Sequence, residues 1–279
     1  MDINEQLFEL KKPYLKTINC LDKGFVRLVD WMGSDQRIVQ SARVSYGEGT
    51  KTVREDKGLI DYLMRHAHTS PFEQVNFTFH VKMPIFVARQ IVRHRTAKIN
   101  EISGRYSILK DEFYEPDVSR MVKQSKDNKQ GSSEEVLEDA ESFLQSFKDE
   151  QFEMYDNYTE YIQGGMAKEM ARINLPLAIY TEWYITFDLH NLFHFLKLRM
   201  DNHAQYEVRV YANAKYNLIK DIVPFACEAF EKHVINGRKF SGDEMELIKS
   251  FLSEDRVKDL ASNTGWKTSQ INEFISKIK

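Results

Sequence analysis

At 279 residues the chain is long enough for one large domain or two small ones and can bury a full core. Its 42% hydrophobic and 12% aromatic content excludes disorder, and a formal net charge of −3 argues against a general nucleic-acid binder. No apolar run approaches the roughly 18 residues of a membrane span, and the charged stretch MDINEQLFELKKPYLK has no signal-peptide core. Two distant cysteines, Cys20 and Cys227, suit a reduced, cytoplasmic protein without a disulfide framework.

In chain order, the first clear element is VNFTFHV, residues 75–81. Val75, Phe77, Phe79 and Val81 alternate with Asn76, Thr78 and His80, which predicts a half-buried strand. Pro84 then opens a predicted helix, IFVARQIVRHR, on which Gln90 and Arg93, and Arg89 and Arg93, share a face. The helix is expected to stop near Asn100–Gly104, leaving the end of RHRTAKINEISGRYS as a loop. Residues 119–132, SRMVKQSKDNKQGS, read as a mobile surface connection. Ser132 and Glu135 have capping-box spacing, and apolar residues from Val136 to Ile162 recur at threes and fours. One long helix is therefore expected, stopped by Gly164-Gly165. MAKEMARIN predicts a short helix before Pro176, and IYTEWYITF alternates as a strand. Two helices follow over roughly 189–199 and 204–222. Beyond Gly237, SGDEMELIKSFL, EDRVKDLASNT and TSQINEFISKIK predict three short helices.

The chemistry concentrates in RHRTAKINEISGRYS, residues 93–107. Arg93, His94, Arg95, Lys98 and Arg105 stand there against one acid, Glu101. Helix-borne guanidinium groups followed by a Ser/Gly loop suit an anion, because the fork binds phosphate bidentately and loop N–H groups add donors. A solvated basic face is the plain alternative. Ile85, Phe86, Val87, Ile91 and Val92 on the same helix argue for partial burial, and a buried cation needs a partner.

Arg93-His94-Arg95, seven residues, then Ser103 resembles the signature of the flavin-dependent thymidylate synthases. HTSPFEQVNFTFHVKMPIFVARQ, AKEMARINLPL and NLFHFLKLRMDNHAQYEVRVYA resemble further segments of that family in the same order, so the likeness covers roughly residues 25–230. The resemblance implies conversion of dUMP to dTMP with methylenetetrahydrofolate as one-carbon donor, FAD hydride for reduction and NADPH to restore the flavin. It also implies a homotetramer with shared active sites, while hydropathy and charge lead to the expectation of no membrane or nucleic-acid partner. By position, Arg199 matches the catalytic arginine that favours ionisation of the uracil ring. Gln90, Ile91, Val92, Arg93, Glu101, Ile102, Ser103, Gly104, Arg105 and Arg172 match positions that hold dUMP together with Arg199. Ser70, Glu73, Arg93, His94, Arg95, Glu101, Asp188, His190, His194 and His203 match positions that hold FAD.

Lys98 stands where this motif often has Ser, and Asp188, His190 and His194 stand where it often has Asn, Arg and Asn. His190 and His194, four apart, also have zinc-like spacing, but Asn191 replaces the glutamate of a hydrolase motif, so no metal is expected. Neither cysteine has an activating neighbour in sequence, so uracil activation through a thiolate is not expected. Twelve glycines include no dinucleotide fingerprint, and GEGTKT at 47–52 is not a P-loop. The expectation is therefore an α+β fold, an antiparallel sheet packed with long helices and a non-Rossmann FAD site. The catalytic domain would span 1–236 and a helical extension 237–279. The extension reads as a solvated appendage or subunit contact rather than a nucleic-acid-binding helix-turn-helix.

Overall fold

The computed structural model describes residues 2–44, 53–126, 129–263 and 265–278, so the GEGTKT stretch lies outside the described residues. The chain divides into two compact units, Met1–Ile235 and Asn236–Lys279.

In the first unit α1 (Ile3–Lys11) leads to a hairpin of β1 (Thr17–Cys20) and β2 (Gly24–Met32), followed by α2 (Asp35–Arg43) and α3 (Val53–Arg65). Then come β3 (Asn76–Pro84), α4 (Ile85–Ile91) and β4 (Lys98–Glu101). A second hairpin, β5 (Val122–Gln124) and β6 (Ser132–Val136), precedes α5 (Ala140–Gln163) and α6 (Lys168–Ala171). The unit closes with β7 (Tyr180–Asp188), α7 (Leu189–Arg199), α8 (Tyr206–Ile219) and α9 (Pro224–Phe230), which continues into a π turn over Glu231–Ile235.

The main sheet has the order β1-β2-β3-β7-β4, and each neighbouring pair is antiparallel. β3 and β7 lie at its middle because both bury one alternating row. Phe77, Phe79 and Val81 are fully buried, Trp183, Ile185 and Phe187 nearly so, and His80 and Tyr184 lie on the opposite face. On that face their rings stack at 4.8 Å. Helices α7 and α8 cover the apolar row with Leu192, Phe195, Leu196, Val208, Tyr211 and Ala212. Close approach fixes Gly24, where a Cβ would come within 2.0 Å of the Tyr211 hydroxyl.

Both strong strands and α7 lie where the periodicity puts them. The helix expected through Arg95 instead ends at Ile91, so Arg93 shares no helix face with Gln90 or Arg89. Where the end of that helix was expected lies β4, an edge strand whose pairing comes from β7 rather than from an apolar pattern of its own. Residues 119–132 are not a simple connection. They begin on a 3-10 turn, Val118–Arg120, and continue into the β5–β6 hairpin. Ser132 and Glu135 lie in β6, so their spacing caps nothing, and the long helix starts at Ala140. The short helix before Pro176 is α6 followed by a 3-10 turn over Arg172–Asn174.

The second unit carries α10 (Gly242–Phe251), α11 (Glu254–Ser262) and α12 (Thr268–Ile278). Here a true capping box forms, with Ser241 accepting from Glu244 N–H and Glu244 accepting from Ser241 N–H. Val257, Ala261 and Ile275 are buried, and Trp266 meets Phe274 edge to face at 5.8 Å.

Candidate active site

The chain turns sharply after α4, which sends neighbouring side chains of the basic segment in different directions. His94 is buried while Arg93 and Arg95 are exposed, and neither arginine makes an ion pair among the described residues. Ile91 is fully buried, whereas Val92 is half exposed.

His94 meets α7 here. Arg199, at the last turn of α7, donates from Nε to His94 Nε2 at 3.0 Å and from Nη2 to the Gln90 carbonyl at 3.2 Å. The His94 ring stands edge-on to Phe195 at 4.9 Å and lies 6.0 Å from the His194 ring. On the same phenyl ring, the buried Lys215 ammonium lies 5.3 Å from the centroid. Burial first, then the charges of Arg199, His194 and Lys215, pushes the His94 pKa down to about 4. The imidazole is therefore neutral at pH 7, with Nε2 as acceptor and the proton on Nδ1. Burial likewise lowers the Arg199 pKa from its ordinary value, and pushes Lys215 down to about 8. Gln90 also donates from Nε2 to Gln205 Oε1 at 2.5 Å.

A second cluster forms where β4 runs into the Ser/Gly loop. Glu101 accepts from the Thr181 hydroxyl at 2.6 Å, and Ile102 N–H donates to the Glu182 carbonyl at 3.0 Å. The loop closes on Ser103, whose carbonyl accepts from the Tyr106 and Ser107 N–H groups. Gly104 is buried against Arg172, and an added Cβ would lie 3.2 Å from Arg172 Cδ and Nη1. Arg105 pairs with Glu169 at 2.9 Å, and Lys168 donates to the Tyr106 carbonyl at 3.0 Å.

A third group surrounds the start of α7. The turn carrying Ser70 and Glu73 packs there, with Leu189 N–H donating to the Val75 carbonyl at 2.8 Å. Asp188 spends its carboxylate as the helix N-cap, accepting from Asn191 N–H at 2.9 Å and Nδ2 at 2.7 Å. His203 is exposed and bonds Asp201. Among the described residues no cluster of three or more His, Cys, Asp or Glu side chains is arranged to hold a metal ion. Both cysteines are buried. Burial raises the Cys20 thiol to about 11 and raises that of Cys227 further, so neither is a ready nucleophile.

Sequence reading missed Gln205, Thr181 and Glu169. Gln205 lay within DNHAQYEVR, and Thr181 was visible as a hydroxyl at an inward position of a buried strand. Glu169 carried no signal, since its role depends on a loop more than sixty residues earlier.

Residues 27–225 match the model of the family described as Thy1, thymidylate synthase complementing protein. A flavin-dependent thymidylate synthase of Treponema denticola is 56% identical over 95% of this chain and 97% of its own length. One from Thermus thermophilus is 55% identical over 94% of this chain and 96% of its own. Among solved structures, the UMP/dUMP methylase PolB of Streptomyces cacaoi bound with 5-Br dUMP superposes with a TM-score of 0.71 at 32% identity. That match covers 78% of this chain and 98% of the methylase. None of the helices among the described residues is long and apolar enough to cross a membrane. With the family model spanning most of the first unit and relatives above half identity spanning nearly the whole chain, this protein belongs to the Thy1 family.

Proposed function

We propose that the chain is a flavin-dependent thymidylate synthase that converts dUMP to dTMP. Methylenetetrahydrofolate would give the one-carbon unit and NADPH the reducing equivalents. The observation that carries the reading is Arg199, a half-buried cation held in one orientation by neutral His94 and the Gln90 carbonyl. A fixed cation beside a uracil ring stabilises its ionised form, which makes C5 nucleophilic without a thiolate.

Gln90, Arg93, Ser103, Gly104, Arg105 and Arg172 would hold dUMP, with the exposed guanidinium groups on the phosphate. Glu101 would orient the same loop from its bond to Thr181. The donor set also fits an FAD: Arg93 and Arg95, without an ion pair among the described residues, offer charge for a pyrophosphate, and Ser70, Glu73, His190, His194 and His203 offer polar contacts along α7 and beyond its ends. Asp188 would act on that site by holding the start of α7. FAD, when bound, supplies the hydride that reduces the transferred carbon.

A homotetramer in the cytoplasm completes the proposal. Phe143 and Phe147, four apart on α5 and both exposed, offer apolar surface for subunit packing. The decisive measurement is the visible spectrum of the purified protein with and without dUMP. Bands of oxidised flavin that shift on adding dUMP are expected, and a colourless protein with no affinity for added FAD would reject the reading.

A further inference from the structure

The polar segment after residue 117 has no counterpart in the motifs, yet its first basic residue packs on the start of α8. Arg120 ends the 3-10 turn that Asp117 caps by accepting from Ser119 N–H at 2.9 Å. Its guanidinium lies over the Tyr206 ring, 4.4 Å from the centroid, and its Nε is 3.5 Å from Glu207 Oε1. Glu207 is buried, and the Tyr114 hydroxyl donates to the same oxygen at 3.2 Å. A buried carboxylate needs a countercharge, and Arg120 is the cation paired with it.

Tyr206 and Glu207 are the first two residues of α8, and the residue just before them is Gln205. The Gln205 carboxamide accepts from the Gln90 side chain, while the Gln90 backbone carbonyl accepts from Arg199. A shift in the first turn of α8 is thus passed through Gln205 to the side-chain amide of Gln90. A primary amide presents an acceptor at one end and a donor at the other, so its orientation decides which group meets an imide such as uracil.

We propose that Arg120 is a positioning residue for the nucleotide pocket, acting through Tyr206 and Glu207 on the Gln205–Gln90 pair. The inference rests on the reading that Gln90 contacts dUMP. It gives the segment before the β5–β6 hairpin a part in substrate affinity, although no residue of that segment is placed on the substrate.

Arg120→Ala strands the buried Glu207 charge and risks the fold, so Arg120→Lys is the main probe. Lysine keeps the charge but loses the planar guanidinium that stacks on Tyr206. Expected are a rise in the dUMP KM of about fivefold, kcat within about twofold and unchanged FAD content. In a Gln205→Ala background the same substitution is expected to change KM by less than about 1.5-fold, because the route to Gln90 is already cut. A full fivefold rise in that background, or a loss of kcat and FAD with KM unchanged, would overturn the proposal. If the wild-type flavin bands respond to dUMP, such a result rejects this inference alone. A wild-type enzyme indifferent to dUMP rejects the functional reading together with it.

Discussion

Arg199 and His94 are joined by one hydrogen bond, guanidinium Nε to imidazole Nε2 at 3.0 Å, across 105 residues of chain. The bond has a direction. Arginine only donates, so the histidine must present a lone pair, and both side chains are held before any substrate arrives.

Replacing Arg199 with Ala therefore removes a preoriented cation rather than a piece of the core. A contact of this kind supplies about 3–4 kcal/mol in the transition state, so dTMP formation is expected to fall roughly 100- to 1000-fold. Bound flavin and thermal stability should stay close to wild type. Near-normal turnover in single-turnover assays would remove Arg199 from the chemistry.

His94 predicts a pH effect on stability. Unfolded histidine titrates near 6.5 and folded His94 near 4, so between those values the unfolded chain binds more protons. The contribution is complete above pH 6.5 and is lost as pH falls towards 4. Asp35 works the other way. Burial raises it to about 6 against the lowering effect of the Phe225 and Ala226 N–H groups that it accepts from, so its contribution is complete below pH 3.8 and is lost as pH rises through 6. His94→Gln should shrink the fall in Tm between pH 7 and pH 5, and Asp35→Asn should enlarge it. Equal falls in wild type and His94→Gln would show that another group sets the acid limb.

Gly104 predicts a separation of binding from folding. A Cβ there would press on Arg172 Cδ and Nη1 and on Leu109 Cδ1, each at 3.2 Å. A flexible arginine yields by a few tenths of an ångström, so Gly104→Ala should cost about 1 kcal/mol or less of stability. It should raise the dUMP KM several-fold, about 1 kcal/mol of lost binding, because Arg172 is displaced. Titration of dUMP against the flavin absorbance measures this directly, and an unchanged affinity would separate Arg172 from the nucleotide.

The helical unit after residue 236 is proposed to be dispensable for chemistry. A chain ending at 236 is expected to bind FAD and to form dTMP at a measurable rate, with a lower Tm. A truncated chain that folds and holds FAD but makes no dTMP would place part of the site in the removed helices.

What could be read from the sequence depended on whether a residue's partner was near it in the chain. β3, β7 and α7 were legible because each carries its own apolar period, and the tail helices because caps and periods agree. β4 was not. Lys98, Asn100 and Glu101 are polar, and only the register with Thr186, Tyr184 and Trp183 makes them a strand. The β5–β6 hairpin was hidden by a Ser and a Glu three apart, a spacing that caps a helix only where a helix follows. The basic loop and Arg199 were legible through the family likeness. Gln205, Thr181 and Glu169 were not, since each is defined by a bond to a residue more than sixty positions away.

The central pairing of the sheet joins Asn76 to Asp188 and Pro84 to Tyr180, so about a hundred residues separate the two middle strands. At roughly 5–20 residues per second, a ribosome takes about 5–20 s to deliver β7 after β3 has been made. Through that interval β1, β2 and β3 are available to pair with one another, but the far edge of β3, with the row Phe77, Phe79 and Val81 beside it, has no neighbour. Such an edge is a template for association with other chains. Pairing with β7 is what closes that edge, so the chain is most open to association before the residues of β7 have been made.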